Sequence, residues 1–314
     1  NIINNGDPAD KIDVVFVPDG YMTIEELETF SSSILPTHIG TIQDSRGILS
    51  REPFLSNANR FNFYYINEIN NFNCKPMSNA ANCYSDTLNL VTENCPFFDD
   101  RIIIVNNDEI PLSGYAYSRV ISGHGFAVAD GGPSPAPGMY AEQITSHEFG
   151  HTFGGLADEY GNLQPWSNTV SPNCDVYGCP KWCNGIPTRP EPPFEECRQI
   201  VSETECNNNN NCMWFDILNV KCVLSEPSYG DFSEGLNCIA GSTCIHNCWG
   251  TNGFRSSYTS IMGPENTNEF NEVSKKHLNN VFKCCYPQNP GEYDATLCTQ
   301  WNQDNNNWYA SCVT

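Results

Sequence analysis

The sequence has few basic residues and no long hydrophobic run. Its 15 lysines and arginines stand against 37 aspartates and glutamates, a formal net charge of −22. This charge disfavours nucleic acids and anionic lipid surfaces as partners. No stretch approaches 18 consecutive apolar residues, so we expect no membrane insertion. No charged and then apolar leader opens the chain, so we expect any signal peptide or pro-segment to have been removed.

Recognisable calcium-binding loops are also missing. The acidic composition would allow calcium binding, but no motif indicates it. Nothing in the sequence indicates an oligomeric state.

Cysteine, by contrast, is abundant: the chain has 17, and Cys284 and Cys285 are adjacent. This number is typical of a disulfide framework formed in an oxidising compartment, so we expect a secreted protein. Because 17 is odd, one thiol is expected to be free, or to pair with another chain or with a segment missing here. An alternative interpretation assigns the clusters 174–183 and 238–248 to structural zinc sites, but histidines at zinc-finger spacing are absent.

Hydrophobic patterning predicts strands and helices in the same chain. Strands are predicted at 12–17, 61–68, 101–105 and, as an edge strand, 126–129. Helices are predicted from a capping box formed by Thr23 and Glu26, from about Met139 to Phe153, and over 268–283. The cysteines at 74, 83 and 95 are assigned to an asparagine-rich loop.

The segment 147–160 reads HEFGHTFGGLADEY. Residues four apart share a face of a helix, so His147 and His151 can bind one metal ion. Glu148 lies one position along and can reach a water at the metal without being a ligand. This HExxH arrangement is typical of zinc peptidases, in which the glutamate is the general base.

A third ligand is required, because catalytic zinc sites use three protein ligands. In the metzincin pattern HExxHxxGxxH a third histidine stands at the eleventh position, which here is Ala157. We predict Asp158 as the third ligand and keep Glu159 as the alternative. Adjacent residues of an extended turn point in opposite directions, so if Asp158 faces the metal, Glu159 faces away. Either acid could instead orient a ligating histidine.

Further site candidates are weaker. Tyr258 and Tyr160 are candidate donors to the oxyanion, with packing as the alternative role. His124 lies beside the predicted edge strand and is a candidate cleft residue. The remaining histidines are predicted to be surface or capping residues: His38, His246 and His277.

Several blocks, in order, resemble the IgA-peptidase type of zinc metalloendopeptidases. They are KIDVVFVPDGYM (11–22), Arg60-Phe61-Asn62, RIIIVNN (101–107), the segment 147–160, and FRSSYTSIMG (254–263). In the last block Met262 resembles the methionine turn of metzincins. The resemblance covers roughly residues 1–160 and 250–285, and only the block at 147–160 is specific.

The resemblance implies a metzincin-like zincin fold of the α+β class, with a twisted mixed sheet and an active-site helix. Together with the distribution of cysteines, it divides the chain into an upper catalytic subdomain (1–169) and the methionine turn with a C-terminal helix (251–285). A cysteine-rich insertion (170–250) and a disulfide-pinned tail (286–314), which the resemblance does not cover, are inferred from their cysteines. The resemblance also implies one catalytic Zn²⁺ and endopeptidase activity on protein or peptide substrates, but not immunoglobulin as the substrate. The alternative is a structural or adhesive extracellular protein built on a metallopeptidase scaffold.

Overall fold

The computed structural model describes twelve segments of the chain. They are residues 2–74, 80–106, 114–117, 124–131, 140–160, 171–191, 194–210, 212–217, 220–224, 231–248, 253–263 and 269–286. The chain divides into two units, one formed by Asn1–Gly155 with Leu278–Asn302 and the other by Leu156–His277 with Gln303–Thr314. Among the described helices, none has the length and apolar character needed to cross a membrane.

The first unit contains a five-stranded mixed sheet. Its strands are β1 (Ile12–Asp19), β2 (Phe61–Tyr65), β3 (Asp100–Val105), β4 (Gly114–Tyr117) and β5 (Gly125–Asp130). They are ordered β2-β1-β3-β5-β4; all are parallel except β4, which pairs antiparallel with β5. Every residue of β1 is buried, as the continuous apolar run of this strand predicts for a parallel strand covered on both faces. The α+β class and the mixed sheet are therefore observed.

Two predictions about this unit were wrong. The strand predicted at 126–129 is not an edge strand, because β4 pairs along its outer side. β4 has only four residues, too few for a period-two pattern to be recognised. The segment assigned to an asparagine-rich loop contains the helix α3 (Ala80–Asn94). Its buried stripe includes Cys83, Thr87 and Val91, so a threonine interrupts the apolar pattern.

The other helices of this unit lie where the sequence predicts them. Helical residues run through α1 (Ile24–Thr29), a π-helical turn (Phe30–Ile34) and α2 (Leu35–Ile39), and later form α4 (Ala141–Gly154). The capping box of Thr23 and Glu26 is present at the start of α1, which confirms that prediction.

Disulfides dominate the core of the second unit. Its strands are short: β6 (Cys174–Asp175), β7 (Cys183–Gly185), β8 (Cys212–Ile217), β9 (Val220–Leu224), β10 (Leu236–Cys238), β11 (Ile245–His246) and β12 (Phe254–Arg255). Its helices are α5 (Phe194–Gln199) and α6 (Glu203–Asn208), and α7 (Glu272–Cys284) begins in it. Seven cysteines pack with a few aromatic and aliphatic side chains into one buried cluster. Cystines therefore take a place that larger apolar residues fill in the first unit.

Six disulfides are formed among the described residues. They are Cys74–Cys83, Cys174–Cys248, Cys179–Cys244, Cys183–Cys238, Cys197–Cys212 and Cys206–Cys222. Three of them join the clusters 174–183 and 238–248, so the interpretation of these clusters as structural zinc sites is wrong. Cys284 and Cys285 are also disulfide-bonded. Of the cysteines the structure describes, Cys95 alone has a free thiol.

Candidate metal centre

The orientation of the two motif histidines is determined by the packing of α4. Phe149 and Phe153 are buried and follow His147 and His151 by two positions, which is about 200° around a helix. Both phenylalanine rings lie within 5.5 Å of the ring of Phe54 in an aromatic cluster. Because this face of α4 is anchored in the core, the histidines lie on the opposite face, where they are only partly buried.

Polar contacts hold the first turns of the same helix. The Nδ1 atom of His38 lies 2.7 Å from the hydroxyl of Thr145, and the hydroxyl of Ser146 donates to the carbonyl of Arg46 at 3.0 Å. The guanidinium of Arg46 lies 3.6 Å from the ring centre of Tyr140, the residue before the helix. The helix that carries the motif is thus held from two sides within the first unit.

Glycine ends α4 directly after the motif. Gly155 has φ of +58°, a conformation that costs glycine little, and its N–H donates to the carbonyl of His151 at 2.9 Å. The helix therefore ends at Gly154, three residues after His151, and Asp158 follows in a segment that is not helical.

Three potential ligand groups come together along this continuous segment. One ligand atom each from His147, His151 and Asp158 lies within 4.8 Å of the others. The Nε2 atoms of the two histidines are 3.1 Å apart, and the ring planes make an angle of 83°. Two imidazole nitrogens and a carboxylate oxygen form a donor set that suits a divalent metal such as zinc, so the residues present could hold such an ion.

The two adjacent acids have different surroundings. Asp158 belongs to this group, whereas the fully buried carboxylate of Glu159 accepts hydrogen bonds from the side-chain amides of Asn173 and Asn271 at 2.7–2.9 Å. Burial raises the pKa of Glu159, and these amide donors act in the opposite direction. The sequence indicated that Glu159 would face away from the metal if Asp158 faced it. It did not indicate which residues would bind the carboxylate of Glu159, because nothing distinguishes these two asparagines from the many others in the chain.

Glu148 follows His147 in α4, and its side chain is 4% exposed. It is not part of the three-residue group. A buried carboxylate on the ligand-bearing helix is the arrangement that the motif predicts for a general base.

The weaker candidates lie in different places. The ring of His124 stacks on Phe98 at 4.5 Å, immediately before β5. Tyr258 is half exposed and Tyr160 is partly buried. Met262 is fully buried, and its carbonyl accepts a hydrogen bond from the backbone of Glu159 at 2.7 Å. None of these residues belongs to the ligand group.

The prediction that the three remaining histidines are surface or capping residues was wrong. His38, His246 and His277 are each 1% exposed. His246, for example, packs its ring against Phe254 at 5.3 Å. An imidazole can fill an aromatic position in a core, and sequence spacing alone does not distinguish that position from a surface one.

Comparisons with known proteins identify no family for this chain. No family model matches the chain, and no curated protein matches it. Among the solved structures that match, one described as "Structure of a chaperone-substrate complex" has 19% identity and a TM-score of 0.33. The match covers 52% of this chain and 26% of that chain, so this chain spans about a quarter of the length of its neighbour.

Proposed function

We propose that this chain is a zinc-dependent endopeptidase with Glu148 as its general base. One observation carries the proposal: ligand atoms of His147 and His151, on the helix that also bears Glu148, lie within 4.8 Å of each other and of a carboxylate oxygen of Asp158, four residues after that helix. Two imidazoles and a carboxylate are a common donor set for catalytic zinc, which keeps a fourth position open for water or substrate.

The chemistry divides between the ion and the chain. A zinc ion held by this group would polarise a peptide carbonyl and make a water molecule acidic enough to lose a proton near neutral pH. Glu148 accepts the proton of the attacking water and delivers it to the leaving amine of the peptide. Asp158 contributes one negative charge to the ligand set, so activity is expected to be highest at neutral to mildly alkaline pH.

The substrate class follows from the motif and from the blocks that resemble IgA-peptidase-type metalloendopeptidases. Two of those blocks supply neighbouring sheet strands, β1 and β3, and the block at 147–160 includes α4 and all three ligands. We infer a metzincin-like zincin that cleaves proteins or peptides. The disulfides are typical of an oxidising compartment, which supports secretion.

Metal analysis combined with a cleavage assay tests this function. We expect about one zinc ion per chain, and cleavage of an unstructured protein that a chelator stops and added zinc restores. The variant His151→Gln should lose the zinc, whereas His124→Gln, which changes a histidine outside the ligand group, should retain it. Absence of stoichiometric zinc, or cleavage that continues in the chelator, would refute the proposal.

A further inference from the structure

The backbone on both sides of Asp158 is held by hydrogen bonds from distant parts of the second unit. Asn173 accepts the N–H of Ala157 through Oδ1 at 2.8 Å and donates through Nδ2 to the carbonyl of Ala157 at 2.8 Å. The same Nδ2 donates to Oε1 of Glu159 at 2.9 Å. One fully buried amide side chain therefore contacts both residues that flank Asp158.

A second asparagine joins the same carboxylate to the start of α7. Asn271 Oδ1 accepts the N–H of Ser274, as an N-cap residue does. Its Nδ2 donates to Oε1 and Oε2 of Glu159 at 2.7 and 2.8 Å. The hydroxyl of Ser274 adds a longer contact to Oε1 at 3.4 Å. The carboxylate of Glu159, in the segment after α4, therefore also holds the N-cap residue of α7.

The backbone of Glu159 is held as well. Its N–H donates to the carbonyl of Met262 at 2.7 Å, and its carbonyl accepts a hydrogen bond from the guanidinium of Arg255. The Sγ atom of Cys248, in its disulfide with Cys174, lies 3.8 Å from the carbonyl oxygen of Asp158. Every backbone polar group of Glu159, and its carboxylate, therefore has a partner in the second unit.

Burying a carboxylate costs several kcal/mol unless it is hydrogen-bonded, so such a group persists where its contacts hold something in place. Here the contacts surround the residue that supplies the third ligand. We propose that Glu159 is a positioning residue: its buried carboxylate, held by Asn173 and Asn271, sets the direction in which Asp158 presents its own carboxylate. This inference rests on the proposed metal site and identifies Glu159 as the side chain that positions its third ligand.

The consequence is a measurable coupling between Glu159 and metal affinity. Glu159→Gln keeps the size of the side chain but directs an NH₂ group at donors that need an acceptor. We expect zinc affinity to fall about 10–100-fold, the range found when groups that orient metal ligands are removed. We also expect the visible absorption of the cobalt-substituted protein to change, because the third ligand is displaced or lost.

A double-mutant cycle separates positioning from general destabilisation. Zinc affinity is measured by competition with a chelating dye for the wild type, Glu159→Gln, Asp158→Asn and the double variant. Because Glu159 acts through Asp158, Glu159→Gln should add no further loss in the Asp158→Asn background. The matched control is Asn62→Ala, which removes a fully buried asparagine that donates to the carboxylate of Asp13 at 2.9 Å in the first unit.

The outcomes are distinct. Asn62→Ala should lower the unfolding temperature without changing zinc affinity or the cobalt spectrum. If the wild type binds zinc, Asp158→Asn weakens it and Glu159→Gln binds like the wild type, the positioning role is wrong and the metal site stands. An equal loss from Glu159→Gln with and without Asp158 would also overturn it. If the wild type binds no zinc, the proposed function and this inference fail together.

Discussion

Two adjacent acids, Asp158 and Glu159, show that neighbouring residues of the same charge can have different surroundings. Asp158 and Glu159 have the same charge, and either could bind a metal. The metzincin spacing points to Ala157, whose side chain has no donor atom, so Asp158 was predicted as the third ligand and Glu159 was kept as the alternative. The structure places only Asp158 in the ligand group, because buried asparagines receive the carboxylate of Glu159. That choice depends on partners more than ten residues away, which no local pattern reveals.

His38 provides a pH-dependent prediction at the residue scale. Burial lowers the pKa of His38 to about 3, so the folded protein keeps its ring neutral. The unfolded chain takes up a proton below its ordinary pKa near 6.5, so stability falls as the pH drops from about 6.5 towards 3. The expected slope from this group is about 1.4 kcal/mol per pH unit.

The variant His38→Gln should remove that slope. Burial also raises the pKa of Asp13 to about 6, and this group contributes the opposite slope between about 4 and 6. The difference between variant and wild type therefore isolates His38. Denaturant unfolding at pH 6.5, 5.5 and 4.5 gives the comparison. If the free energy of unfolding changes equally with pH in the variant and the wild type, His38 is charged in the folded state.

At the scale of elements, continuous apolar runs and caps were predictive, and short or mixed elements were not. The run at 12–17 became a fully buried central strand, and the capping box began α1. β4 was missed because four residues carry too little pattern, and α3 was missed because its buried stripe contains a cysteine and a threonine. Tertiary contacts hold α3, among them hydrogen bonds from the buried Arg101 to the hydroxyl of Thr87 and the carbonyl of Tyr84.

Thr87 tests that account of α3. Its hydroxyl accepts a hydrogen bond from Nε of Arg101 at 3.2 Å, and both side chains are buried. Thr87→Val leaves that N–H without its acceptor, and we expect a loss of about 1–3 kcal/mol in the free energy of unfolding. The control is Thr29→Val, at an exposed helical threonine. In both threonines the hydroxyl donates to the carbonyl four residues earlier, at 2.7 Å for Thr87 and 2.9 Å for Thr29. Equal effects of the two substitutions would contradict a specific role for the contact with Arg101.

At the scale of the whole chain, the two units rely on different sources of stability. The first has a large apolar core that includes long aliphatic and aromatic side chains from the sheet and helices. In the buried cluster of the second, seven of the eleven residues are cysteines, and its described strands have two to six residues. Cysteine number alone predicted the disulfide framework, but connectivity could not be derived, because even six cysteines allow 15 pairings.

Reduction should therefore affect the two units differently. Under a thiol reductant without denaturant, we expect the backbone amides of β6 to β11 to lose protection from hydrogen exchange while those of β1, β3 and β5 keep theirs. Mass spectrometry of proteolytic fragments measures both groups of strands in one sample. Retained protection of β6 to β11 after complete reduction would show that the disulfides do not stabilise this unit.

The catalytic assignment is tested most directly by zinc content and peptide turnover, measured together, in the variant Glu148→Gln. In the proposed mechanism Glu148 acts on the water and is not a ligand, so we predict about one zinc ion per chain, as in the wild type, with turnover reduced about 10²–10⁴-fold. Turnover close to that of the wild type, or loss of the zinc, would contradict the role assigned to Glu148.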